Sequence, residues 1–140
     1  MLPVIKPGDN ELTTWIQQKR LAGESVVGIN VSGLLYEKPE YASKNYEFRA
    51  NYDTVINNLI EYLLKEPSNN LVLVPHVEAG GMHDRDISEQ ILSRLREKHS
   101  HRVSIVPRGM QAPGVKHIIS GFDWFCGTRM HSAIAGLSSC

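Results

Sequence analysis

Gly121-Phe122-Asp123-Trp124-Phe125-Cys126-Gly127-Thr128-Arg129-Met130-His131-Ser132-Ala133-Ile134-Ala135-Gly136-Leu137 is the stretch whose reading decides the fold. Phe122–Cys126 reads as a short buried strand, and Gly127 makes the turn. Thr128 fits a helix N-cap, because its hydroxyl accepts a bond from an orphan backbone N–H. Ser132, Ala133, Ile134, Ala135 and Leu137 then continue a helix of small side chains that can lie close on a sheet. A strand followed at once by a helix is the repeating unit of an α/β fold. It also puts Arg129 and His131 in a first helical turn just past a strand end, where free N–H groups and the helix dipole favour anions. A guanidinium there can hold a phosphate or carboxylate through two bonds. An imidazole two residues on can contact the same anion or move a proton. The plainer reading of the same residues is an Arg paired with a local carboxylate and a surface His.

The rest of the chain repeats this unit. Residues 1–9 read as an extended lead-in carrying Pro3, Pro7 and Gly8. Asp9 or Asn10 can cap a helix over Glu11–Leu21, and Gly23 suits its end. Ser25–Gly33 reads as a buried strand running into a loop, with Val26, Val27, Ile29 and Val31 supplying β-branched side chains. The long stretch Leu34–Ala50 reads as a loop with aromatics. Tyr52–Lys65 places Val55, Ile56, Leu59, Ile60, Leu63 and Leu64 at helical spacing. Leu71–Val77 is a second buried strand with His76 at its exit. Asp84 can cap a helix to about Lys98, and Arg102–Pro107 is a third strand. Pro113 and Gly114 precede a short helix over Val115–Ser120. The alternation predicts an α/β, Rossmann-like parallel sheet with helices on both faces. Its strand exits, at Gly33, His76, Pro107 and Gly127, would then lie along one edge, where open sheets bind ligands.

At 140 residues the chain can bury a core of its own. Its 15 Lys and Arg balance 15 Asp and Glu, so it carries no charge footprint for nucleic acid or an anionic membrane. No apolar run is long enough to span a bilayer, and Met1-Leu2-Pro3-Val4 lacks the basic start of a signal peptide. Two cysteines, Cys126 and Cys140, lack zinc-like spacing. They suit a reducing, cytoplasmic compartment. Leu137-Ser138-Ser139-Cys140 stops the last helix without a polar tail, which reads as a chain cut from a longer protein. The expected division is a lead-in and helix over 1–24 and an apparently truncated domain over 25–140.

The motifs exclude several chemistries. No Gly-rich dinucleotide fingerprint follows the first strand, and no phosphate-binding Walker loop or esterase elbow is present. His76, His83, Asp84 and Asp86 match no metal motif and read as loop and cap residues, so neither a metal nor a cofactor is expected. His99 and His101 fall at a helix end, which favours imidazolium, and read as structural. His76 leaves its strand on the same edge as Arg129 and His131, and fits either a ligand role or a bond to nearby backbone.

Gly28–Tyr36, Val72–Val77, Ile118–Asp123 and, most specifically, the Gly-x-Arg-x-His run of Gly127-Thr128-Arg129-Met130-His131 together resemble the polysaccharide pyruvyl transferase family. The resemblance covers about residues 25–140. It implies a fold similar to the C-terminal domain of GT-B glycosyltransferases, with a missing N-terminal domain. It also implies transfer of a pyruvyl group from phosphoenolpyruvate to a sugar or glycan acceptor as a cyclic ketal. By the same resemblance Arg129 is the anion clamp. His131 is a second anion contact or the proton donor, and is the catalytic candidate. Gly127, Thr128 and His76 complete the binding candidates. Two other readings stay open at this stage. One is a sugar-nucleotide-dependent glycosyltransferase of the same architecture. The other is a non-catalytic α/β binding domain in which Arg129 and His131 are structural.

Overall fold

The computed structural model describes residues 11–33, 36, 52–75, 84–110 and 112–127. Helix α1 (Glu11–Leu21) leads into strand β1 (Ser25–Asn30), helix α2 (Tyr52–Lys65) into β2 (Asn69–Leu73), α3 (Asp84–His99) into β3 (Val103–Ile105), and α4 (Ala112–Ile119) into β4 (Trp124–Gly127). The four strands form one sheet in the order β3-β2-β1-β4, and every pairing is parallel. This is a Rossmann-like α/β architecture.

The strands pair on apolar sequence that is covered on both sides. Val27, Ile29, Leu71, Leu73 and Val103 face α2 and α3. Val26, Val72, Val74 and Val106 face α1 and α4. Right-handed crossovers dictate this division. The chain steps outward from β1 to β2 and β3 with helices on one face. It then returns past β1 to β4 with α4 on the other. Each fully buried Val, Leu or Ile contributes about 1.5–3 kcal/mol of transfer free energy, so both layers are needed.

Local chemistry ends the helices where the sequence says it should. Gly23 has φ 82°, a conformation that glycine adopts without a Cβ penalty. Its N–H donates to Arg20 O, and the Glu24 N–H donates to Lys19 O. This pair of bonds is a Schellman motif closing α1. At the end of α2, Arg102 supplies the missing donors. Its guanidinium reaches Leu64 O at 2.8 Å, Glu66 O at 2.6 Å and Asn69 O at 3.1 Å.

Besides β2, which runs Asn69–Leu73 rather than Leu71–Val77, three expectations need correction. The last strand is Trp124–Gly127 rather than Phe122–Cys126, and it is half-buried rather than buried. It lies at the rim of the sheet, so one side of its ladder has no neighbour among the described residues. Asp123 is drawn out of the strand, since its carboxyl accepts the Val26 N–H at 2.8 Å while its own N–H donates to Val26 O. Second, Gly127 is still a strand residue, paired with Asn30. Third, α4 starts earlier than Val115 and takes in Pro113 and Gly114. Proline has no N–H to lose in a first helical turn, where that N–H has no partner anyway. In α2 the buried row is Tyr52, Ile56, Ile60 and Leu64. Val55, about 100° round the helix from Ile56, is 48% exposed.

Gly28 lets β4 close on β1. It pairs with Phe125, and a Cβ there would overlap the Phe122 ring. The Phe122 and Phe125 rings lie 6.1 Å apart and pack on the α1–α4 side. Gly28→Ala must displace the Phe122 ring. We expect it to cost about 1–3 kcal/mol, the usual range for an overfilled core, read as a lower urea midpoint. A variant as stable as the parent would contradict this packing.

Candidate functional site

In an open parallel sheet, ligands bind beyond the carboxyl ends of the strands, at the point where the strand order reverses. Here the reversal lies between β1 and β4. Their last paired residues are Asn30 and Gly127. Gly127 is thus the one candidate residue inside the described structure, and it stands at the switch point. Thr128, Arg129 and His131, which follow it, lie outside the described residues, as does His76. The chain leading to His76 is described as far as Pro75, which is buried. The chain is thus described up to Gly127 on β4 and up to Pro75 just after β2, and these two strands flank β1.

Between them, the exit of β1 is held by buried polar groups. Asn30 is fully buried and its side-chain amide donates to Val74 O at 2.8 Å. The Ser32 N–H donates to the Tyr52 hydroxyl at 3.0 Å. The Gly33 N–H donates to Asp84 Oδ1 at 2.9 Å. Tyr52 and Asp84 are the first residues of α2 and α3. Both helices therefore begin at this edge, with their N-terminal N–H groups and positive dipole ends toward it. Tyr36 continues the fastening, its hydroxyl donating to Asn57 Oδ1 at 3.1 Å, an atom that also accepts from Arg94 at 2.6 Å.

Sequence reasoning gave Asn30, Ser32 and Tyr52 no role at the site, and weighed Asp84 as a helix cap and as part of a cluster that matched no metal motif. One signal was available. Asn30 interrupts an otherwise apolar strand, and a buried amide must find a partner. The partner, Val74, lies too far along the chain to be read from a local pattern.

Arg85 is buried too. It donates to Val106 O at 2.5 Å and pairs with Glu89 at 3.6 Å, while Arg108 meets the same carboxyl at 3.0 Å. This group ties the start of α3 to the exit of β3. Among the described residues no three His, Cys, Asp or Glu side chains gather where a metal could be held. The cluster expected to be non-metal is described only at Asp84 and Asp86, since His76 and His83 lie outside the described residues.

Asp84→Ala would strand the Gly33 N–H in a buried place. An unsatisfied buried donor costs about 1–3 kcal/mol, and we expect a loss of that size in urea unfolding, with Asp84→Asn losing less because its oxygen still accepts. Equal losses for the two variants would contradict the assignment of that bond.

The sequence model of the polysaccharide pyruvyl transferase family matches residues 15–140. The chain belongs to this family. No curated protein and no solved structure matches it. Membership connects the chain with pyruvyl transfer and polysaccharide biosynthesis, and implies a sugar acceptor. No described helix is long and apolar enough to cross a membrane.

In this pyruvyl transferase family member Cys126 sits on β4 one residue before the candidate Gly127, as a half-buried free thiol. Burial pushes the thiol above its ordinary value of 9.0. The reactive form is the thiolate, so the environment works against a nucleophilic role. The sign of the pH effect follows. The folded state holds this proton more tightly than the unfolded state, so the contribution is fully present below pH 9.0 and is lost as pH rises through the higher folded value. We expect the parent to lose more stability than Cys126→Ala between pH 8 and pH 11 (about one to two units either side of an ordinary thiol). Parallel urea midpoints for the two proteins across that range would contradict it.

Proposed function

We propose that the protein transfers the pyruvyl group of phosphoenolpyruvate to two hydroxyls of a sugar in a polysaccharide or its precursor, giving a pyruvate ketal and phosphate. The observation that carries the reading is the position of Gly127, the first residue of Gly-x-Arg-x-His, at the switch point beside Asn30. A family signature at the place where such sheets take ligands is what a binding role predicts.

The chemistry asks for an anion clamp, an acid and a base. Arg129 holds the phosphate or carboxylate bidentately, helped by N–H groups of the helix expected after Thr128. His131 is a second anion contact or the acid that protonates the methylene carbon. That protonation makes C2 electrophilic. One sugar hydroxyl adds there, the C2–O bond to phosphate breaks, and the second hydroxyl closes the ring. Of the two hydroxyl protons, one is balanced by the proton gained at the methyl carbon and the other leaves with phosphate. General acid–base assistance of this kind contributes about 10²–10⁴-fold. His76, the residue after Pro75 in the chain, is the remaining candidate to face the same anion.

Residues 25–140 act in this reading as the C-terminal-type domain of a GT-B-like enzyme working in the cytoplasm, with an N-terminal domain supplying most of the acceptor site. The donor half can then be tested separately. A ligand that binds only the folded state stabilises it by about 2.7 kcal/mol at a hundred times its Kd. We expect phosphoenolpyruvate to raise the melting midpoint, Arg129→Ala to remove most of the rise, and the chain to form no ketal alone. A rise with sugar nucleotides and none with phosphoenolpyruvate would count against the proposal and favour a glycosyltransferase.

A further inference from the structure

We propose that Asp123, supported by Arg20 of α1, is the register pin of β4 and so sets Gly127 opposite Asn30. The inference rests on strand geometry and does not depend on the pyruvyl transfer reading. Continued by one step, the pairing of β1 with β4 puts Val26 opposite Asp123. In a regular parallel ladder the Val26 N–H would go to the carbonyl of the preceding residue, Phe122. It goes instead to the Asp123 carboxylate at 2.8 Å, while the Asp123 N–H donates to Val26 O at 2.8 Å. One residue thus answers both backbone groups of Val26. The reason lies just upstream. Gly121 and Phe122 still belong to the turn that closes α4, their N–H groups donating to Ile118 O and Ile119 O. A side chain stands in for the missing rung and lets the strand begin directly after a helix. Arg20 completes the junction, donating to Gly121 O at 3.3 Å and lying 3.5 Å from the other Asp123 oxygen.

The pin matters because the ladder is short. β1 and β4 share four paired residues, at the rim of the described sheet. A slide by one residue would turn Phe125 away from the α1–α4 side, so burial opposes it. A slide by two returns every side chain to its own face, and apolar patterning does not separate it from the observed pairing. A bond to one particular carboxylate does. Of the two Asp123 contacts, the Val26 bond carries the specificity. It is part-buried and meets a carboxylate, which makes a strong hydrogen bond. The pair with Arg20 is half open to solvent, where ion pairs add little. Register changes only in whole residues, so holding Asp123 at Val26 fixes each later pair, from Val27 with Trp124 to Asn30 with Gly127. Gly127 is the described candidate at the switch point, and its place there follows from a side chain four residues earlier.

The test begins on the parent protein. We expect an NMR coupling across the hydrogen bond from the Val26 amide to the Asp123 carboxyl carbon. A coupling to the Phe122 carbonyl carbon in its place would overturn the assignment. Asp123→Ala then removes the acceptor, Asp123→Asn keeps an oxygen that still accepts, and Leu12→Ala is a core control on α1. Interstrand backbone contacts between residues 28–30 and 125–127 report the register of the folded molecules, which a loss of stability alone does not move. In Asp123→Ala we expect the parental contacts to give way to, or be joined by, a set offset by two residues. Hydrogen-exchange protection of the Val26 amide is expected to fall by roughly 10- to 100-fold, as for a lost bond to a charged group. Asp123→Asn and Leu12→Ala are expected to keep the parental set. Should Asp123→Ala fail to fold, Asp123→Glu, which moves the carboxylate by one methylene, carries the same comparison with the same expectation. A single parental set in the variant that lacks the native acceptor would overturn the pin and leave the register to the Phe122 ring over Gly28.

Discussion

The structure depends on the double pairing of β1. Its backbone is bonded to β2 on one side and to β4 on the other, and its two faces are both roofed by helices. A strand in that position has no surface through which to solvate a polar group. Its side chains must be apolar, absent or bonded. Val26, Val27 and Ile29 take the first course, Gly28 the second and Asn30 the third. Each neighbour inherits a constraint from this. The Phe122 ring occupies the space over Gly28, and the exit of β2 is drawn to the Asn30 amide.

Parallel strands also sort the polar work by edge. At the amino edge the groups serve closure. Arg102 gathers the free carbonyls at the end of α2, and the Asn70 amide donates to Ser25 O at 3.0 Å. At the carboxyl edge the helices begin, so N–H groups and positive dipole ends collect there. The side chains of Tyr52 and Asp84 are turned to the β1 exit and hold its backbone in place. An edge built this way is suited to anions before any charged side chain is counted. Asp84 already places one carboxylate at this edge, where it accepts the Gly33 N–H.

Much of this was legible in the sequence because it is local. The bounds of α1 and α2 agree with the reading from caps and spacing, since helical periodicity and a terminal glycine are recorded within one short window. The alternation of elements was enough for a parallel sheet with helices on both faces. The Gly-x-Arg-x-His run pointed to the family that the chain-length match identifies. The reading went astray where the environment is supplied from elsewhere. Phe122-Asp123-Trp124-Phe125-Cys126 looks like core by composition, yet β4 is the rim of the described sheet and Trp124 is exposed.

What the sequence determined by itself, then, was the elements, the fold class and the kinds of residue available for anion chemistry, all written in neighbouring positions. The tertiary structure decided the strand order, and with it the switch point that puts Gly127 beside Asn30. It also decided the partners of Asn30, Gly33 and Arg102, which lie tens of residues away along the chain. The physical reason is that a buried polar group takes its meaning from whichever acceptor folding brings to it, and no periodicity in the chain records that distance.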